Sequence, residues 1–243
     1  MTSADSQTWL VVAAAGIAFF HTLLGPDHYL PFVGMGRALR WSRARLAGIT
    51  LLCGLGHVLS SLVLGLIGIT LGLSLARLQA WENARGAWAS YGLVGFGLAY
   101  FAWGMTRAGR RHEHHHPHVH ADGTVHAHTH SHELEHLHPH FGENAATKVW
   151  SGTVWMLFSI FLLGPCEPLI PLFIVPAAAH NWHATTMVAL LFTAVTLATM
   201  LAVVMVCSYG LERVRLPALE PYSHAVAGAT IAMCGIAISL FGL

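Results

Sequence analysis

From Pro168 to Leu211 not one Asp, Glu, Lys or Arg interrupts the chain, and the same holds from Leu46 to Ala76. Stretches so poor in charge are built for hydrocarbon, where about 20 consecutive apolar residues make one helical crossing. Charged residues are 9% of the 243, against about a quarter in soluble domains. A soluble enzyme is therefore excluded. Twelve Lys+Arg against eleven Asp+Glu leave a net charge of +1, so there is no basic field to hold nucleic acid. The expected class is an all-α integral membrane protein, not an enzyme, with the lipid bilayer as its surroundings.

Apolar segments are expected to span near 8–25, 46–73, 87–105, 150–178, 185–210 and 224–243, which makes six transmembrane helices. The N-terminal MTSADSQTWL has no basic residue and does not read as a cleaved signal peptide. Three regions follow: 1–105 as a first three-helix unit, 106–148 as a histidine-rich loop without fixed structure, and 149–243 as a second three-helix unit. Arg37, Arg40, Arg43, Arg45, Arg107, Arg110, Arg111, Lys148, Arg213 and Arg215 fall on one side of this layout, and only Arg77 and Arg85 on the other. The positive-inside bias puts the larger set, and the loop with it, in the cytoplasm of an inner membrane, with both termini outside.

The two units share a signature. Leu23-Leu24-Gly25-Pro26 recurs as Leu162-Leu163-Gly164-Pro165, an offset of 139 that also aligns the starts of the apolar segments. An odd number of crossings per copy turns the second copy upside down, the inverted-repeat plan of many transporters. Proline removes a backbone donor and clashes with the preceding turn, so a helix break is expected at each Gly-Pro.

The residues after the breaks are the chemically loaded ones: Asp27-His28 in the first unit and Cys166-Glu167 at the equivalent place in the second. Asp27 and Glu167 read as the acidic residues within spans, where an unpaired charge is costly. His21 lies two turns before His28, and His57 sits in Gly54-Leu55-Gly56-His57 on the next span. Imidazole and carboxylate suit Ni, Co, Zn and Fe, and a thiolate adds affinity for softer ions. His21, Asp27, His28, His57, Cys166 and Glu167 are thus the candidate metal ligands. Ser60 and Ser61, on the face of His57, and Thr193 and Thr196, on the equivalent helix, could line a pathway or simply join helices. Cys166 also reads as a small core residue and His57 as a helix–helix hydrogen-bonding group. Cys53, Cys207 and Cys234 read as packing residues, and His180, His183 and His224 as interfacial.

Thirteen of the nineteen histidines crowd one stretch: His112, His114, His115, His116, His118, His120, His126, His128, His130, His132, His136, His138 and His140. Neutral imidazoles are poor solvating groups and good ligands for borderline ions. The stretch reads as a device for metal capture.

His21-Thr-Leu-Leu-Gly-Pro-Asp27-His28, followed a helix later by Gly54-Leu55-Gly56-His57, resembles the nickel/cobalt transporter superfamily, including its urease-accessory-type and exporter branches. That resemblance implies movement of Ni²⁺ or Co²⁺, with Zn²⁺, Fe²⁺ and Cu as alternatives, at His21, Asp27, His28 and His57. It implies no permanent cofactor, and it leaves a homo-oligomer or a metallochaperone as further partners. The spacing here is His-x5-Asp-His, one residue longer than the family's, and serine does not directly follow His57. Leu163-Gly164-Pro165-Cys166 is similar to the membrane thiol-electron carriers of the cytochrome c biogenesis type, which use one cysteine from each repeat; the position matching Cys166 is Asp27. The expected function is export of a divalent transition metal. The alternatives are a thiol–disulfide electron carrier working through Cys166 and a urease-type metal accessory protein.

Overall fold

A computed structural model describes residues 3–109, 114–119, 125–130, 143–164, 166–214 and 217–241. Eight helices are described: α1 (Ser3–Leu24), α2 (Leu30–Ala38), α3 (Arg43–Thr70), α4 (Leu75–Gly109), α5 (Glu143–Leu163), α6 (Leu169–Ala178), α7 (Trp182–Arg213) and α8 (Ser223–Phe241). Short 3-10 turns occupy Pro26–His28 and Pro217–Tyr222. The bundle is all-α and of the membrane type. Arg43–Thr70, Trp182–Arg213 and Pro217–Leu240 are long and apolar enough to cross a membrane, and a fourth crossing is counted if Thr8–Leu24 and Pro26–Ala38, bent by 80°, form one broken span. Gly152–Leu163 and Leu169–Ala178 are shorter apolar helices. Large apolar side chains such as Trp88, Leu190, Val206 and Leu240 stand exposed on the outside, as lipid-facing residues do.

Both expected breaks are present. Pro26 opens the turn after α1, and α5 stops at Leu163 before α6 resumes at Leu169. Helix boundaries repeat at the offset of 139: Leu24 with Leu163, Leu30 with Leu169, Arg43 with Trp182. The caps repeat too. Ser42 accepts from the Arg45 amide at the start of α3, and Asn181 from the Ala184 amide at the start of α7. Arg40 and His180 take positive φ in the turns just before. There Trp41 N–H reaches back to the Gly36 carbonyl and Asn181 N–H to that of Pro176, the ending of a left-handed helix cap.

Packing follows the same exchange. α1 lies on α7 and α5 on α3; α2 lies on α8, while α6 packs mainly on α7 and α3 and touches α4. The most extensive contact joins α4 to α8 and is antiparallel, since Ser90 and Val94 meet Gly235, Gly97 meets Gly228 and Ala232, and Gly104 meets Ala225. Glycines set that distance: a Cβ at Gly235 would stand 2.7 Å from the Ser90 carbonyl oxygen. At the α7 end, Arg37 donates to the Leu211 and Val214 carbonyls at 2.6 and 3.3 Å, where a cation suits the helix C-terminus.

α4 departs from expectation. It begins at Leu75, well before the expected start near residue 87, and its 35 residues reach about 52 Å. Glu82 and Arg85 therefore belong to a helix and not to a connecting loop. Glu82 is 1% exposed and its carboxylate meets Arg85 at 2.7 Å. Glu82 is thus a buried acid that the expected spans did not include, one that pairing with a neighbour a turn away makes tolerable.

The stretch expected to lack fixed structure begins with the end of α4. His114–Val119 (β1) then pairs antiparallel with Val125–His130 (β2), an exception to the all-α plan. His112, His120, His132, His136, His138 and His140, together with Pro165, lie outside the described residues.

Candidate metal centre

The first Gly-Pro break carries the chemistry. α1 delivers His21 in its last turn, the 3-10 turn delivers Asp27 and His28, and α3 delivers His57 from its middle. Because α1 stops at Leu24, the chain turns back and sets His28 against His21 rather than two turns beyond it. The rings of His21 and His28 stand 4.9 Å apart, and those of His28 and His57 5.1 Å apart, each pair nearly perpendicular. One nitrogen from each of the three lies within 4.8 Å of the others. His28 and His57 are buried and His21 is partly so.

These rings lack ordinary partners. His21 Nε2, His28 Nε2 and both nitrogens of His57 are buried with no hydrogen bond among the described residues. An unpaired polar atom in such a place costs about 1–3 kcal/mol, so four around one point ask for a ligand. The other nitrogen of His28, Nδ1, faces the Gly25 carbonyl and Asp27 Oδ1, both at 3.2 Å. A carboxylate behind a histidine fixes the tautomer and raises the basicity of the nitrogen that points to the ion. Asp27 therefore supports His28 and sets a carboxylate beside the three imidazoles.

The three histidines and Asp27 border a cavity of about 30 Å³, lined also by Gly86, Ala89 and Leu93 from α4, Ile160 and Phe161 from α5, Gly164 just after it, and Ile238 from α8. That is room for one or two waters and not for an ion's full hydration shell. Tetrahedral coordination at about 2.0–2.1 Å puts nitrogens about 3.4 Å apart. The triad would have to close by up to about 1.4 Å around an ion.

Glycine makes the space in both halves. A Cβ at Gly25 would stand 2.5 Å from His28 Nδ1, and one at the equivalent Gly164 would stand 3.1 Å from His57 Nδ1. The second break thus reaches the centre through its glycine. Cys166 and Glu167 do not. Cys166 packs among Ala18, Val58, Leu169 and Phe192, and Glu167 is exposed, with the Asn83 amide oriented toward its Oε1 at 3.2 Å. The expected pathway hydroxyls are also outside the cavity lining. Ser60 Oγ donates to the His57 carbonyl at 2.8 Å, Ser61 Oγ accepts from the Cys166 amide at 3.2 Å, Thr193 bonds back to Ala189, and Thr196 is buried.

Sequence reasoning missed Glu82 and Arg85. Arg85 donates to Glu82 Oε1 at 2.7 Å, to Ser60 Oγ at 2.6 Å and to the Leu162 and Gly164 carbonyls at 3.0 and 3.4 Å. The signal was an acid and a base three residues apart, at the edge of an apolar segment. Among the remaining histidines, His224 Nδ1 meets the Tyr100 hydroxyl at 2.8 Å, away from the triad.

No protein-family model, no curated protein and no solved structure matches this chain.

Proposed function

We propose that this chain is a transporter of divalent transition metals, Ni²⁺ and Co²⁺ first, working as an exporter in the inner membrane. The observation that carries the reading is the His21–His28–His57 cluster, whose unpartnered ring nitrogens surround a small cavity inside an apolar helical bundle. Three imidazoles backed by one carboxylate suit borderline divalent ions. Asp27 offsets part of the ion's charge when the site is full. The ion is cargo. It sheds its water to enter, and it leaves when the triad reopens.

Six crossings in two inverted repeats account for several observations together. Element boundaries and caps recur at one offset, packing partners are exchanged between halves, and α4 runs antiparallel to its equivalent α8. In such a plan the broken helices meet near the bilayer midplane, and rocking one repeat against the other exposes the site alternately. With the basic connections in the cytoplasm, the histidine-rich loop collects ions there and loads the inward-facing state. The register of β1 and β2 supports this role by setting His114, His116 and His118 opposite His130, His128 and His126. The thiol-carrier alternative gains nothing from Cys166, a free thiol packed among apolar side chains.

Metal-resolved flux in proteoliposomes, comparing Ni, Co, Zn, Fe and Cu, tests the proposal. Wild type should move Ni²⁺ and Co²⁺, and His28→Ala should not. Binding without movement would make the chain a metal accessory protein, and flux unaffected by His28→Ala would discard the site.

A further inference from the structure

His57 is the member of the triad whose two ring nitrogens are both buried without a hydrogen-bond partner among the described residues. The Phe161 backbone lies near the ring. A metal-binding histidine ordinarily has its second nitrogen held by an acceptor. Something else must fix His57, and two structures flank it. Ser60 Oγ holds its backbone carbonyl at 2.8 Å, and Gly164 lies against its ring.

Arg85 grips both. Its Nη2 donates to Ser60 Oγ at 2.6 Å and to the Gly164 carbonyl at 3.4 Å, with the Leu162 carbonyl at 3.0 Å between them. Those carbonyls belong to the end of α5, where the chain breaks and leaves acceptors unfilled. A guanidinium is suited to the task because its planar fork presents donors in several directions at once, whereas a lysine ammonium presents them at a point. The arrangement sets a positive charge close to a site meant for cations. Glu82 answers that charge at 2.7 Å through Arg85 Nη1, which gives a reason for a carboxylate buried to 1% exposure.

We infer that Arg85, neutralised by Glu82, is a positioning residue for the metal centre, holding His57 in place through Ser60 on one side and Gly164 on the other. The inference rests on the reading of His21, His28 and His57 as a metal site. It makes α4 a brace between the two halves: α4 carries Arg85, α3 carries Ser60 and His57, and the break after α5 belongs to the second repeat.

The test is a Co²⁺ titration of the full-length protein in detergent, with the thirteen loop histidines replaced by serine so that the visible ligand-field bands report the core site. Arg85→Ala should weaken Co²⁺ binding about tenfold or more, as the loss of a partner behind a ligand commonly does, and should change the band pattern. Arg85→Lys should recover only part of both. If Arg85 acts through His57, its removal in a His57→Ala background should cost less than about twofold, because residues in one network are not additive. Equal losses with and without His57, or a wild-type spectrum and affinity in Arg85→Ala, overturn the inference. Should Arg85→Ala fail to fold, Ser60→Ala removes one of the two links alone. It should weaken binding only while His57 is present, and no change in it would count against the proposal. A wild-type core that binds no Co²⁺ overturns the metal site and this inference together. A His57 effect with no Arg85 or Ser60 effect overturns this inference alone.

Discussion

At the residue scale, each histidine of the centre is held differently, and the differences predict different losses. His28 is backed by Asp27 and by the Gly25 carbonyl. Asp27→Asn should keep the fold and lower Ni²⁺ affinity by about 10–100-fold, the range for a partner behind a ligating histidine; calorimetric titration of protein without loop histidines would measure it. The two break glycines give a second prediction. Gly25→Ala places a methyl 2.5 Å from His28 Nδ1, against 3.1 Å from His57 Nδ1 for Gly164→Ala. Both should reduce metal affinity, Gly25→Ala more severely. Equal wild-type affinity in the two variants would mean that the rings are not where ions bind. Much of this centre could be read in the chain, because His21, Asp27 and His28 are local to one break and His57 stands in a motif beside small residues. Glu82 and Arg85 could not, since two opposite charges a turn apart look like an exposed flank until the hydroxyl and carbonyls they serve are folded against them.

At the element scale, α4 and α8 approach through glycine. A valine at Gly97 or Gly228 would drive side-chain atoms into the opposing backbone, and overpacking of this kind costs about 1–3 kcal/mol. Thermal unfolding in detergent should show both variants destabilised, and Gly95→Val, where a Cβ meets nothing within 4 Å, much less so. The β1–β2 ribbon gives another comparison. The register pairs His114, His116 and His118 with His130, His128 and His126, and His115 with Thr129. Replacing His116 and His128 together should remove more Ni²⁺ from the loop than replacing His115 and His132; equal losses would show that the loop binds without regard to this register. The breaks were legible because proline acts locally. The early start of α4 was not, because hydropathy alone reads Glu82 and Arg85 as an end to the apolar stretch.

At the scale of the whole molecule, helix boundaries recur at the offset of 139, but a matched position is not a contact. Cys166 matches Asp27 in position, yet Asp27 borders the histidine cavity and Cys166 packs in a separate apolar cluster. Matched positions meet only where their helices pack directly, as the glycine-lined faces of α4 and α8 do. The centre is consequently lopsided: the first half supplies the histidines and the second supplies Gly164, Phe161 and the wall. Such asymmetry fits one metal site better than two. X-ray absorption at the nickel edge, on full-length protein with its loop histidines replaced by serine, tests this most directly. The account predicts one bound ion with a shell of imidazole nitrogens near 2.0–2.1 Å that collapses in His57→Ala. A shell of water oxygens alone, or an imidazole shell unchanged in His57→Ala, would contradict it.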